Sequence, residues 1–365
     1  MNEVQTAAPA LSLKQVKEFK LPTGVLALDI SADAQAMFAS CIDGGVYQIA
    51  VESGERRKLG AHESYASGIA AVAGSSQVVS GGYDGVLQWH DTTDANASAP
   101  TAPRKISAHR FWSWQTTASR DGRFVASVTG QYVCGGYKYE PLPEREPSVR
   151  VYEAPTGKLV HSFTHVPPVQ SVAFSSDGRS IAAGNLMGEV RIWEIGTGKQ
   201  IAKFRTPSFT GWGIIKGHYY TGGIFALHFA ANDEELYAAG MGSTTDPAAG
   251  NGRQLWQRFR WRDGTKIGET NENENGRGLM ETLAFHPSGK HFVMAGRLEN
   301  GKWTMAFFNT KTGALLHSLD TKSRVTRALF NADGRRLFIG ETLGQAKPKD
   351  GIIPDFGRLQ IFSFG

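Results

Sequence analysis

Cysteine is almost absent from this sequence, since only Cys41 and Cys134 occur among its 365 residues. Folds held together by disulfides carry several cysteine pairs and are typical of oxidising compartments. Neither cysteine lies in a paired metal-binding motif. We therefore expect no disulfide framework, no cysteine-based metal site and a reducing compartment.

Long hydrophobic runs are also missing. No apolar stretch reaches the roughly 18 residues that a membrane-spanning helix requires. Residues 1–10 contain neither the basic segment nor the apolar stretch of a secretory leader. These absences predict a soluble, cytoplasmic protein with no membrane partner.

The charge balance has only a small excess of one sign. The chain carries 39 basic and 34 acidic residues, a formal net charge of +5. The longest basic run is the three residues Arg56–Lys58, which is too short for a nucleic-acid-binding arm. Nucleic acid is therefore not an expected partner.

Motifs that carry catalysis or metal chemistry are absent. The sequence has no Gly-x-Ser-x-Gly elbow, no glycine-rich phosphate loop and no His-Glu-x-x-His. His161 and His165 are four residues apart, but a predicted strand and its following loop separate them. Asn271–Gly276 resembles the start of a calcium loop, yet its twelfth position is Thr282 instead of glutamate. We expect a polar turn there, no metal, no cofactor and no enzymatic activity.

Tight turns are abundant, with 43 glycines. The clearest pattern is the stretch Val169–Phe204, in which Asp177-Gly178 and two further turn signals separate four short apolar runs. Each run alternates with a period of two, which is typical of half-buried strands. The stretch therefore predicts a four-stranded antiparallel sheet, whose two apolar faces both need a neighbouring sheet.

The same unit recurs along the chain. Trp193 lies in the predicted third strand, five residues before the turn glycine Gly198. Equivalent positions, identified by this spacing or by the local pattern, give seven copies in all: Ile49, His90, Tyr152, Trp193, Phe259, Phe308 and Phe362. Seven repeats predict seven packed sheets.

The first predicted strand has no partners of its own in sequence. Lys14–Phe19 matches the fourth strand of the best repeat, whereas the last repeat, which ends at Gly365, lacks a fourth strand. We expect the first strand to complete the last sheet, burying Leu13, Val16 and Phe19. Closure of this kind covers exposed strand edges.

These features resemble the WD-repeat β-propeller family, through Gly188–Glu194 (Gly-Glu-Val-Arg-Ile-Trp-Glu) and histidines that precede first strands. The resemblance implies an all-β, seven-bladed β-propeller of four-stranded antiparallel blades, with the N-terminal strand completing the last blade. It predicts a flexible N-terminus over residues 1–11 and a single propeller domain over residues 12–365. It also implies a monomeric, non-catalytic scaffold that binds a protein or peptide partner.

The family fixes its blades with a hydrogen-bonded set of His, Ser or Thr, Asp and Trp. Blade two offers His62, Ser80 and Asp84, but His90 stands where the tryptophan belongs. The sets of the other blades look less complete. We expect apolar packing between blades to contribute more stability than these networks.

Long insertions depart from the repeat. In the family, connections between second and third strands, and between blades, share one end of the ring. The insertions of these two types are residues 130–147, 205–223, 241–252, 270–278 and 341–356. The opposite end has one notable insertion, residues 91–103.

Aromatic and basic side chains in these insertions are our candidate partner-binding residues, because exposed aromatics carry much of the binding energy of interfaces. The alternative is that the aromatic side chains fold back and cap the blades. The candidates are Tyr132, Tyr137, Tyr139, Trp212, His218, Tyr219, Tyr220, Lys347 and Lys349.

A second functional hypothesis is a propeller enzyme, of hydrolase or lactonase type, with a site at the channel mouth. Asp29 and His228 occupy the same position in the first strands of blades one and five. They are at least three blades apart, whereas catalytic groups must cluster. We therefore expect both to be solvated channel residues.

Overall fold

The computed structural model describes residues 11–93, 102–131, 144–206, 208–212, 220–242, 252–271, 276–343 and 356–365. These residues form seven antiparallel sheets arranged as the blades of a β-propeller. No helix long and apolar enough to cross a membrane occurs among them.

The first four blades are each formed by four consecutive strands, which follow one another from the centre outwards. Blade one contains β2 (Val25–Ile30), β3 (Ala36–Cys41), β4 (Gly45–Ala50) and β5 (Arg56–Ala61), and blade two contains β6 (Ala66–Ala71), β7 (Gln77–Gly82), β8 (Val86–Asp91) and β9 (Arg104–Ser107). Blade three contains β10 (Gln115–Ala118), β11 (Phe124–Val128), β12 (Val149–Glu153) and β13 (Leu159–Phe163). Blade four contains β14 (Val169–Phe174), β15 (Ser180–Asn185), β16 (Glu189–Glu194) and β17 (Gln200–Arg205).

The last three blades depart from this plan by an added or a borrowed strand. Blade five has the additional strand β18 (Thr210–Trp212) beside β19 (Tyr220–Phe229), followed by β20 (Glu235–Met241), β21 (Gln254–Arg260) and β22 (Thr265–Glu269). Blade six contains β23 (Arg277–Phe285), β24 (His291–Asn300), β25 (Met305–Asn309) and β26 (Leu315–Leu319). Blade seven contains β27 (Arg324–Phe330), β28 (Arg336–Thr342), β29 (Gly357–Phe364) and β1 (Leu13–Leu21).

The register confirms the seven-fold repeat. Each repeat-marking residue of the third strand faces the equivalent residue of the second strand. Trp193 pairs with Ile181, for example, and His90 pairs with Val78. All seven markers are buried.

The core is divided among the gaps between blades. Among the described residues, seven apolar clusters occur, one in each gap between neighbouring blades. The cluster between blades seven and one includes Val25 and Phe338. Each blade therefore buries both apolar faces, which is why the sheets are stable only as a ring.

The first strand of the chain completes blade seven, as expected. β1 pairs with β29 along its whole length, from Leu13 opposite Phe364 to Leu21 opposite Gly357. The expectation that Val16 is buried was wrong: its register shifts between Gln15 and Lys17, so Val16 bulges outwards and is 48% exposed. A bulge reverses the alternation of inward and outward side chains on which that expectation rested.

The innermost strands leave one edge of backbone groups unpaired, and neighbouring blades satisfy several of these groups. Gln115 Oε1 accepts a hydrogen bond from the Val172 amide at 2.7 Å. Thr282 Oγ1 accepts one from the Ala328 amide at 3.1 Å. Thr326 Oγ1 donates to the Val25 carbonyl at 2.8 Å. These bonds link adjacent blades around the central channel and reduce the cost of buried, unpaired backbone groups.

Candidate functional site at the channel mouth

A repeated irregularity in the innermost strands forms the channel mouth. In six blades the pairing between the first and second strands skips one residue near its start. Trp114 has the equivalent position in blade three, directly before β10. A bulge redirects a side chain away from the sheet. The seven residues at this position all line one cavity of about 160 Å³: Leu26, Ser67, Trp114, Gln170, Phe225, Glu281 and Thr326.

An aromatic cluster borders this cavity. It consists of Tyr65, Tyr83, Phe111, Trp112 and Trp114. The Tyr83 and Trp112 rings are stacked, with centroids 4.4 Å apart and planes 2° from parallel. The Trp114 ring meets both edge-on, at 5.5 and 5.4 Å. The Phe111 ring stacks on Trp112 with centroids 4.7 Å apart, and the Tyr65 ring lies 5.5 Å from Tyr83.

Short connections between the strands of blades one to three hold the aromatic cluster in place. The amide of Tyr83 donates to the carbonyl of Tyr65 at 2.8 Å. Thr129 Oγ1 donates to the carbonyl of Trp112 at 2.7 Å, and Trp114 Nε1 donates to the Gly130 carbonyl at 2.9 Å. Within this framework Tyr65 stays 46% exposed and Trp112 38% exposed. The cluster therefore presents a large, positioned aromatic surface to solvent.

Two opposite charges at the mouth, those of Arg324 and Glu281, neutralise each other. The Arg324 guanidinium binds the Glu281 carboxylate through two hydrogen bonds of 2.6 and 2.8 Å, linking blades six and seven. The attraction of Glu281 raises the pKa of Arg324. Tyr83 faces this pair from blade two, and burial raises its pKa. The mouth therefore offers aromatic faces and a paired charge at neutral pH.

Asp29 and His228 occupy equivalent positions, as predicted, since Asp29 pairs with Phe38 and His228 with Tyr237. Both side chains are half-buried, and each also has a partner within the protein. Asp29 accepts hydrogen bonds from the amides of Ile30 and Ala71, both at 2.9 Å. The His228 ring stacks on Phe285 at 4.2 Å, and burial lowers its pKa to about 4. Both side chains stabilise contacts between adjacent blades.

Blade two contains a continuous polar chain with the composition of a catalytic triad. Asp84 Oδ1 lies 3.0 Å from His62 Nδ1, and His62 Nε2 lies 2.8 Å from Ser80 Oγ. His90 Nε2 continues the chain at 2.9 Å from Ser80 Oγ. Ser80 is fully buried, so its hydroxyl cannot reach a substrate. The chain therefore ties strands together, and His90 takes the position of the family's tryptophan.

Other chemical candidates also have structural partners. His161 Nε2 lies 2.6 Å from the Ile195 carbonyl, and His165 Nε2 lies 3.3 Å from the Ala183 carbonyl. Cys41 is buried, which raises the pKa of its thiol. Within the described ranges no group of three or more His, Cys, Asp or Glu side chains could hold a metal ion. Cys134 and most of the calcium-like segment, residues 272–275, lie outside those ranges.

Most of the predicted partner-binding residues lie outside the described residues. These are Tyr132, Tyr137, Tyr139, His218, Tyr219, Lys347 and Lys349. Trp212 and Tyr220 are paired opposite each other in β18 and β19. This pairing adds a strand to blade five in the insertion between blades four and five.

Sequence reasoning missed the aromatic cluster, because the connections that supply it are short. One signal was available: three of the four residues from Phe111 to Trp114 are aromatic, and they lie between two blades. The stacking of these residues on Tyr83 depends on contacts between separate connections, which spacing alone does not report.

Comparison with known proteins gives two matches. The family model described as "WD domain, G-beta repeat" matches residues 157–194, which include β13 to β16. The Arabidopsis thaliana protein "Cell division cycle 20.1, cofactor of APC complex" is 26% identical over 215 residues. That alignment covers 52% of this chain and 47% of the relative, so the chain spans about half the length of the relative that it matches.

Proposed function

We propose that this chain, which belongs to the WD-repeat β-propeller family, is a non-catalytic scaffold that binds a protein or peptide partner. The partner binds the end of the ring that carries the channel mouth and the long insertions. The observation that carries this proposal is the aromatic cluster, with Tyr65 and Trp112 exposed beside the cavity. Tryptophan and tyrosine are enriched among the residues that dominate binding energy at interfaces.

Three further features support this proposal. Tyr65, Tyr83 and Phe111–Trp114 lie in connections between blades or between second and third strands, which are also the connections with most of the long insertions. The charged pair Arg324–Glu281 is internally satisfied and suits a binding surface better than an acid-base site. The name of the Arabidopsis relative describes a cofactor of a protein complex, which favours a protein partner for this chain.

We propose that the protein is a monomer, because one chain closes its own ring.

Within this proposal, the insertion residues form the outer part of the partner surface. Tyr132, Tyr137, Tyr139, Trp212, His218, Tyr219, Tyr220, Lys347 and Lys349 remain predicted contacts. Tyr65 and Trp112 are added as its central part.

Affinity capture with quantitative mass spectrometry tests the proposal. The double variant Tyr65→Ala/Trp112→Ala should lose the partners that the unaltered chain captures, since loss of a hot spot costs about 2 kcal/mol or more, roughly 30-fold in affinity. The control is Leu159→Ala, which removes a side chain that is 47% exposed on the outermost strand of blade three. It should capture the same partners as the unaltered chain.

A second double variant, Tyr137→Ala/Tyr139→Ala, tests the outer surface in the same experiment. Melting curves of all variants establish that they are folded. Identical capture by the Tyr65→Ala/Trp112→Ala variant, the control and the unaltered chain would show that the aromatic cluster is not the partner surface.

A further inference from the structure

Arg327 is an unusual residue for its place in the central channel. It lies in β27 opposite Gly340, and the equivalent position in the other blades is uncharged. Five of those residues are small, and the sixth is an amide: Ala27, Gly68, Ser171, Ala226, Thr282 and Gln115. Arg327 therefore projects a long cationic side chain into a channel lined at this level by small groups, and it lines the cavity beneath the mouth.

The guanidinium of Arg327 lacks a protein partner. Across the described part of the chain, no carboxylate oxygen lies within 4.0 Å of it and no acceptor receives a hydrogen bond from it. The nearest opposite charge, Asp29, uses its oxygens for the Ile30 and Ala71 amides. Burial lowers the pKa of Arg327 more than the charge of Asp29 raises it. The side chain is half-buried and its nitrogens are accessible from the channel, so its five donors are free to bind water or an acceptor from outside the chain.

The equivalent positions in other blades identify a backbone donor in the blade next to Arg327. Gln115 and Thr282 occupy the position of Arg327 in other blades, and each accepts a hydrogen bond from an amide in the next blade. The amide that corresponds in blade one is that of Leu28. Leu28 pairs with Ala39 as Val172 pairs with Ala183, so its N–H also faces the channel. Arginine cannot accept that hydrogen bond, so both groups remain donors.

Two cationic side chains act on the same part of the channel. Arg327 and Arg120 both lower the pKa of His228, although burial is the larger cause, so positive charge extends towards the opposite end of the channel. Arg324 is already neutralised by Glu281. The cavity of about 160 Å³ is comparable to one that holds a benzene molecule, and a carboxylate- or phosphate-bearing group is of similar size.

We propose that the central channel contains an oxyanion-binding site, in which the Arg327 guanidinium and the Leu28 amide bind a carboxylate or phosphate group. A planar guanidinium binds such oxygens through two parallel hydrogen bonds. The site lies beneath the aromatic cluster and is independent of the proposed partner surface, because a free anion can occupy it without a partner.

Titration of the full chain tests this site with two kinds of anion, at constant ionic strength. Inorganic phosphate represents a free anion, and N-acetyl-glutamate amide represents the carboxylate of an acidic side chain. N-acetyl-glutamine amide is the uncharged control. Calorimetry should detect saturable binding of at least one of the two compounds. Binding of phosphate indicates that the site takes a free anion, and binding of the glutamate compound indicates that it takes the carboxylate of an acidic side chain. Absence of saturable binding for both would overturn the proposal.

Two variants test whether Arg327 is responsible. Arg327→Gln should weaken binding at least about tenfold, since a hydrogen bond to a charged group contributes that much or more. Arg335→Gln makes the same charge change at an exposed turn of the same blade and should bind like the unaltered chain. Equal weakening in the two variants, or none in Arg327→Gln, would contradict the proposed site.

A measurement without any anion separates binding from a structural role. The melting temperature of Arg327→Gln should equal or exceed that of the unaltered chain, because the variant removes a charge that has no hydrogen bond or ion pair within the described part of the chain. A clear fall in the melting temperature would mean that Arg327 stabilises the fold itself, and the proposal would then be wrong.

Discussion

At the scale of single residues, Ser80 has an unusual role because its one hydroxyl joins two imidazoles. It lies 2.8 Å from His62 Nε2 and 2.9 Å from His90 Nε2, and it is fully buried. Replacing Ser80 with alanine leaves both ring nitrogens without that partner. The free energy of unfolding should fall by about 1–3 kcal/mol, the cost of an unsatisfied buried polar group. Urea denaturation monitored by circular dichroism measures this change.

Ser64→Ala is the matched control for Ser80→Ala. Ser64 is exposed and lies two residues after His62. Surface substitutions of this kind usually change stability by less than about 0.5 kcal/mol. Equal midpoints of urea denaturation for the two variants would argue that the polar chain of Asp84, His62, Ser80 and His90 does not stabilise the fold.

Residue positions were more predictable than residue partners. The spacing to a turn glycine, or the local pattern, identified all seven third-strand markers, because each repeat places the marker at an equivalent position opposite the second strand. Comparison of the first strands of the repeats also placed Asp29 and His228 at equivalent positions. It could not show that Asp29 binds the amide of Ala71, since that amide lies 42 residues away in another blade. Contacts between repeats depend on the arrangement of the repeats around the ring.

At the scale of strands, β1 closes the ring, and two of its apolar residues have opposite environments. Phe19 packs against the cluster between blades seven and one, close to Gly54, whereas Val16 is 48% exposed at a bulge. Phe19→Ala should lower the free energy of unfolding by about 3 kcal/mol. Val16→Ala should change it by less than about 0.5 kcal/mol. Deletion of residues 1–20 should lower the melting temperature by many degrees, because it exposes the edge of β29.

Thermal denaturation of these three variants tests the closure. A deletion variant that melts like the unaltered chain would contradict a stabilising role for β1. A large effect of Val16→Ala would contradict the outward bulge.

Irregularities within strands were the least predictable features of the fold. The outermost strands of six blades shift register by one residue, and only β9 pairs with β8 without a shift. A similar shift near the start of innermost strands produces the ring of residues at the channel mouth. A bulge adds a residue without changing the apolar pattern enough to be recognised. The lining of the channel therefore could not be derived from alternation alone.

At the scale of the whole molecule, buried histidines should make stability depend on pH. Burial lowers the pKa of His90 and His228 to about 4 and that of His109 and His165 to about 3. In the unfolded chain these groups titrate near 6.5. The stability that these neutral histidines contribute is therefore fully present above about pH 6.5. The free energy of unfolding falls as the pH falls towards 4, by ~3 kcal/mol for His90 alone. Asp29 has the opposite effect on the pH dependence of stability, since burial raises its pKa.

Urea denaturation at pH 7, 6, 5 and 4 checks this dependence. His90→Gln should flatten the curve, because a neutral amide does not take up a proton in the unfolded chain. A free energy of unfolding that is constant between pH 7 and pH 4 would show that the four histidines are not buried as neutral groups.

The architecture of the whole molecule followed from repetition, but the proposed binding surface did not. Seven copies of one pattern, together with an unpaired first strand, were sufficient to predict a closed ring. The aromatic cluster required three short connections to meet in space, and none of them departs in length from the repeat. Attention to long insertions therefore favoured residues such as Tyr137 over Tyr65 and Trp112.

The pairing that closes the ring also determines how the molecule responds to a mechanical force. The amide of Ser12 donates to the Gly365 carbonyl at 2.6 Å, and the amide of Gly365 donates to the Ser12 carbonyl at 3.1 Å, so Ser12 and Gly365 lie at one end of the β1–β29 pair. A force that pulls these two residues apart loads the hydrogen bonds of the pair one after another, from Leu13 opposite Phe364 towards Leu21 opposite Gly357. Tension would therefore unzip blade seven at a low force and open the ring before any other blade carries the load.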